Sequence, residues 1–173
     1  AIKADKLWAM GYTGYGQRAM IVDTGTDQYH PALEGNYVGL YFGDDLGYTG
    51  NGTESIDCDN HGTHVAGTTV GLNRATDDTI GVAFNALWIG SPAIDCGSSN
   101  SSLGTNQLFQ WAINPDGDLS TTEDMPAVIN NSWGIPTHVD GAPNPGSNQC
   151  GFGSMNSMNA TEAAGIAIVF SAG

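Results

Sequence analysis

Ala19-Met20-Ile21-Val22-Asp23-Thr24-Gly25-Thr26-Asp27 passes from four uninterrupted apolar residues straight into a carboxylate. A run that short, apolar at every position, has the length and composition of a strand buried on both faces. The pattern returns at residues 86–89, at Ala127-Val128-Ile129, and at Ile166-Ala167-Ile168-Val169-Phe170. Between these runs the spacing becomes helical. Residues 61–71 carry Val65, Ala66, Thr69 and Val70, and residues 103–113 carry Leu103, Leu108, Trp111 and Ala112 before Pro115 closes them. Residues 155–164 form another helical stretch capped by Gly165, and a short amphipathic helix over 2–10 stops at Gly11. The Gly-, Asp-, Asn- and Tyr-rich segment 36–60 reads as long loops with an edge strand at 38–42.

Buried strands alternating with helices imply right-handed crossovers and an α/β fold with a parallel sheet. In such sheets function gathers in the crevice beyond the carboxyl ends of the strands. Asp23, Asn130-Asn131-Ser132-Trp133-Gly134 and Ser171-Ala172-Gly173 all fall at those ends, which locates one active face.

The 173 residues suffice for one domain, and a 40 % hydrophobic fraction argues against disorder. Four Lys and Arg stand against eighteen Asp and Glu, a formal net charge of −14. A surface that acidic repels phosphate backbones and anionic lipid heads, which excludes nucleic acid and membranes as expected partners. No apolar run approaches the roughly 20 residues needed to cross a bilayer. No signal peptide is visible, so a secreted protein would have shed it already. The three cysteines (Cys58, Cys96, Cys150) leave at least one without a partner in the chain, and reduced thiols are an open alternative. The sequons Asn51-Gly52-Thr53 and Asn159-Ala160-Thr161 carry little weight.

Two polar clusters stand out: Ile21-Val22-Asp23-Thr24-Gly25 and Asn60-His61-Gly62-Thr63-His64-Val65-Ala66-Gly67-Thr68; taken alone, the pair also reads as a capping Asp and a satisfied core His. A carboxylate at the end of a buried strand needs a donor to offset its desolvation, and a histidine at a helix start can supply one. His64, one turn after His61, reads as packing within the helix rather than as half of a metal site, which would need further ligands. Gly62 and Gly67 are read as letting that helix approach the sheet closely.

Taken in order, Asp-Thr-Gly after an apolar strand, His-Gly-Thr-His-Val-Ala-Gly-Thr, Asn-Ser-Trp-Gly and Phe-Ser-Ala-Gly resemble the signatures of the subtilase family. The Asn-Asn-Ser-Trp-Gly and Phe-Ser-Ala-Gly variants, the opening Leu7-Trp8-Ala9-Met10-Gly11-Tyr12-Thr13-Gly14-Tyr15-Gly16 and His30-Pro31-Ala32-Leu33 look most like its bacillopeptidase F branch. The resemblance implies a three-layer subtilisin-like fold, with a mainly parallel sheet and helices on both faces, and a secreted endopeptidase acting on polypeptides. It makes His61 the general base and Asp23 the carboxylate that orients it. Ser132, Trp133 and Gly134 would pair with the substrate backbone and form one wall of the specificity pocket, with Ala172 and Gly173 in another. The stretch 99–102 lies where the family has a second substrate-binding strand. Cys58 and Cys96 resemble a disulfide found in the proteinase K group, which leaves Cys150 over.

The family places an Asn after Ser-Ala-Gly and, much later, Gly-Thr-Ser with the nucleophile; neither is present. Gly153-Ser154-Met155 has the wrong neighbours and the wrong place in the order. The 173 residues therefore read as the N-terminal portion of a subtilase catalytic domain, inactive alone, whose C-terminal remainder is a possible partner. No cofactor is required for the chemistry, although structural Ca²⁺ is compatible with so many carboxylates. A calcium-loaded interaction domain using Asp44, Asp45, Asp57, Asp59, Asp77 or Asp78 is one alternative. An aspartic protease is another, but it needs a second carboxylate and an all-β fold.

Overall fold

The computed structural model describes residues 2–50, 55–94, 104–134, 138–139, 142–143 and 152–172. In chain order these form α1 (Ala4–Ala9), β1 (Arg18–Asp23), a 3-10 turn (Glu34–Asn36), α2 (Val38–Phe42), α3 (Asp44–Gly47) and α4 (His61–Val70). Next come β2 (Leu72–Asn73), β3 (Asp78–Thr79), β4 (Leu87–Pro92), α5 (Thr105–Ile113) and β5 (Val128–Asn131). The short strands β6 (His138–Val139) and β7 (Ala142–Pro143), then α6 (Phe152–Ala163) and β8 (Ala167–Phe170), complete the described chain.

Four strands form a parallel sheet in the order β4-β1-β5-β8. From β1 the chain runs through α4 to β4 on one side, then through α5 to β5 on the other. Strand order thus reverses at β1, and ligands in open α/β sheets bind beyond the carboxyl end at such a switch point. Asp23 is the last residue of β1, paired in register with Pro92, while Val22 pairs with Asn131.

Side chains alternate across a strand, so β1 feeds two cores. Ala19 and Ile21 face one layer with Trp88 and with Ala66 and Val70 of α4. Met20 and Val22 face the other, with Ile89, Ile129 and the α5 residues Leu108, Phe109 and Ala112. Helix α6 lies against α5 and β8. Helices therefore cover both faces, giving the three layers that the resemblance implies. Met20, Ile21, Ile89 and Ile129 are fully buried, each contributing about 1.5–3 kcal/mol. The buried Trp88 stacks at a tilt on Tyr37, 4.7 Å between centroids, and its indole donates to Leu33 O at 2.8 Å.

Two expectations fail. Residues 38–42 are helical rather than an edge strand. Among the described residues two isolated bridges, Tyr37 to Trp88 and Tyr48 to Gly90, pair this segment with β4, and the chain between them is helical. Of its apolar residues Val38 is buried, whereas Leu40, Tyr41 and Phe42 are exposed, so no alternating face exists to pay for strand pairing. The fourth apolar run, expected to be buried on both faces, is an edge strand among the described residues. Ala167, Val169 and Phe170 of β8 are exposed.

Candidate active site

The same alternation that builds the two cores aims Asp23. It shares parity with Ala19 and Ile21, so its side chain lies on the α4 side of the sheet. His61 is the first residue of α4. The two meet: His61 Nδ1 lies 2.7 Å from Asp23 Oδ1, and the same oxygen accepts from Thr24 N at 2.8 Å. Asp23 is fully buried, while the His61 side chain is 48 % exposed. Asp23 Oδ2 is buried without a hydrogen-bond partner among the described residues.

With Nδ1–H donated to Asp23, the lone pair of His61 sits on Nε2 of a half-exposed ring, free to take a proton from outside. The hydrogen bond to Asp23 and the charge of that carboxylate raise the His61 pKa above the ordinary imidazole value; the slight burial works against them, and Asp59 and Asp57 add smaller attractions. An imidazole oriented by a buried carboxylate is the arrangement that makes a general base for a hydroxyl nucleophile.

Close backbone approach brings β1 and α4 together. A Cβ on Gly62 would overlap the carbonyl oxygen of Gly25 and crowd Asp23 Cβ at 3.0 Å, and Gly25 itself adopts φ +106° against the Ile56 carbonyl. Gly67 differs from its expected role: a Cβ there would meet nothing within 4 Å. Alanine normally stabilises a helix over glycine by about 0.5–1 kcal/mol. Gly67→Ala is therefore expected to raise the melting temperature of the full-length protein, and Gly62→Ala to lower it, by about 1–3 kcal/mol of overpacking. Thermal unfolding of both variants checks the sign; stabilisation by Gly62→Ala would contradict the close approach.

The residues after β5 gather at the same sheet end. Asn130 Nδ2 donates to Ser132 Oγ at 2.9 Å. Trp133 donates its indole N–H to Val22 O at 2.9 Å and meets Phe170 edge-on at 5.7 Å. Its side chain is thus tied to β1 and β8, and the Ser171 hydroxyl reaches Trp133 O at 3.4 Å. Gly134 follows, exposed, and Ala172 is exposed at the end of β8. Gly173, the stretch 99–102, Cys96, Cys150 and Asn51 lie outside the described residues. Ser154 lies in the first turn of α6.

His64 is exposed rather than packed, lining a surface groove with His30, Thr63 and Thr68. Among the described residues no three His, Cys, Asp or Glu side chains gather as a metal cage. The one-lobed parallel sheet, with a histidine on the single Asp-Thr-Gly carboxylate, also disposes of the aspartic-protease alternative.

Sequence reasoning missed the partners of this pair. Asp57, a loop carboxylate by its composition, accepts from both Thr24 and Thr63. Its link to the helix spans six residues, twice the usual capping-box spacing, so only the count back from His61 could have flagged it.

Comparison with known proteins gives a consistent picture. A model of the subtilase family matches residues 16–173. Bacillopeptidase F of Bacillus subtilis (strain 168) is 35 % identical over 153 residues, covering 80 % of this chain and 10 % of that protein. The minor extracellular protease Vpr of the same organism is 32 % identical over 152 residues, covering 84 % of this chain and 18 % of Vpr. The solved structure of the S41 psychrophilic protease superposes with a TM-score of 0.58 over 93 % of this chain and 47 % of its own, at 23 % identity, a likeness of fold. The chain thus spans a tenth of one curated relative and under a fifth of the other.

Proposed function

The chain belongs to the subtilase family, and on that premise we propose that it supplies the Asp and His of a serine endopeptidase whose nucleophilic serine lies outside these residues. The observation that carries this is the 2.7 Å bond between His61 Nδ1 and the fully buried Asp23. In the reaction, His61 Nε2 takes the proton of the serine hydroxyl as it attacks the peptide carbonyl, then gives it to the leaving amine. Asp23 holds the ring and stabilises the imidazolium between those steps. No cofactor enters.

Ser132–Gly134 would lie along the substrate backbone, bonded to it like an added strand. Their place at the carboxyl end of β5, beside Asp23, supports this. Trp133 then acts through its backbone, since its indole is already engaged with Val22 O. Ala172 and Gly173 would continue the opposite wall. We take the 173 residues as the N-terminal part of the catalytic domain, completed by a C-terminal remainder that also brings the serine.

Secretion is supported by the name of one relative, the minor extracellular protease Vpr, and by the charge of −14. No described helix is long and apolar enough to cross a membrane. A disulfide at Cys58, paired with Cys96, is part of this proposal and would suit an oxidising compartment.

The test compares two polypeptides on a casein or chromogenic peptide substrate. The full-length protein is expected to hydrolyse it, and residues 1–173 alone to give no turnover above buffer. Turnover by the purified 173-residue chain would overturn the assignment of the serine to sequence beyond it.

A further inference from the structure

We propose that Asp57 is a positioning residue for the Asp23–His61 pair, its carboxylate joining the turn after β1 to the first turn of α4. The inference rests on the triad reading above and adds a residue to it.

The carboxylate accepts from five donors. Its Oδ1 takes the Thr24 hydroxyl at 2.8 Å, Asn60 N at 3.0 Å and Asp59 N at 3.1 Å. Its Oδ2 takes Thr63 N at 2.7 Å and the Thr63 hydroxyl at 2.6 Å. An ionised carboxylate accepts at both oxygens, and all five partners can donate, so the set favours the charged form. Burial pushes the Asp57 carboxyl up, but the hydrogen bonds from Thr63, Asp59 and Thr24 outweigh it and hold the group below its ordinary range.

The two threonines extend the joint. Thr24 Oγ1 accepts from Gly62 N at 3.0 Å while Thr24 N holds Asp23 Oδ1. Thr63 Oγ1 accepts from Asp27 N at 3.0 Å. Of the first-turn amides of α4, that of Thr63 donates to Asp57 itself and that of Gly62 to Thr24, whose hydroxyl donates in turn to Asp57. A plain helix cap would need the Thr63 amide alone. The bond to Thr24, thirty-three residues away, is what couples the helix start to the neighbour of Asp23. Asp23 sits one residue from Thr24, and His61 one residue from Asn60 and two from Thr63, so a slip in the joint moves one against the other.

The test uses the full-length protein, with site concentration fixed by fluorophosphonate titration so that kcat counts only intact sites. Asp57→Asn keeps the shape but turns an amide toward the Thr63 N–H. It is expected to lower kcat per titrated site about 10²-fold, the loss typical of a misplaced catalytic group, with KM little changed. The charges facing His61 are Asp23, Asp59 and Asp57, each of which raises its pKa. Removing one moves the acid limb of the pH–rate profile to lower pH, a shift that mere loss of stability does not produce. Thr24→Val keeps every charge and is expected to lower kcat about tenfold with the acid limb in place. Asp57→Asn within about twofold of wild type per site, with an unmoved limb, would overturn the proposal. Should Asp57→Asn fail to fold, an unchanged kcat for Thr24→Val would overturn it equally. A wild type that neither labels nor turns over would sink the triad reading, and this proposal with it.

Discussion

In the full-length protein, His61→Ala is expected to lower kcat about 10⁶-fold, the scale of loss on removing the general base in subtilisin. The expectation follows from what the ring does. Its Nδ1 is committed to Asp23 at 2.7 Å, so Nε2 alone is left to take the serine proton. Without it the hydroxyl attacks unassisted, and what remains is substrate binding and oxyanion stabilisation supplied elsewhere in the domain. His64 cannot substitute: it is exposed on the next turn, in a separate groove with His30 and Thr68. KM should change little, because the proton transfer belongs to the transition state rather than to binding. Steady-state kinetics on a peptide substrate check both parts; a loss confined to KM would contradict the role.

Asp23→Ala is expected to cost about 10⁴-fold in kcat, less than loss of His61 because an unoriented imidazole remains a base. Two effects combine. The ring loses the acceptor that fixes its Nδ1–H form, and the imidazolium formed during attack loses its counter-charge. The hydrogen bond and charge of Asp23 are also the main causes that raise the His61 pKa. Neutral imidazole is the working form, so activity falls as pH drops through that pKa. With the carboxylate gone the acid limb should move to lower pH while the plateau falls. A pH–rate profile reads both, and a limb that stays in place would contradict the pairing. Thr24 N, which also donates to Asp23 Oδ1, loses its partner at the same time.

The active face was legible because the four apolar runs mark parallel strands and their polar ends mark one edge of the sheet. Asp23 stands at one of those ends, but its role and that of His61 came from the ordered resemblance to subtilase motifs, and the structure sets the two in contact. The helices on the buried side of the pattern, α4 and α5, appear within one or two residues of their expected bounds, because Ala66, Val70, Leu108 and Ala112 repeat at a spacing that packing enforces. Residues 38–42 misled because alternate apolar letters say nothing about burial where the chain merely bridges an edge at Tyr37 and Tyr48. His64 misled for the opposite reason: helical spacing placed it on the helix, but its face turned outward. Asp57 was visible only as one loop carboxylate among several. Its partners are six and thirty-three residues away, and tertiary contacts at such separations leave no periodic trace.

The most direct test of the central claim is fluorophosphonate labelling of the full-length protein, with and without His61→Ala, followed by intact mass and peptide mapping. One label is expected on wild type, on a serine outside residues 1–173, and none on His61→Ala over the same time. A label on a serine within residues 1–173, or equal labelling of both proteins, would contradict it.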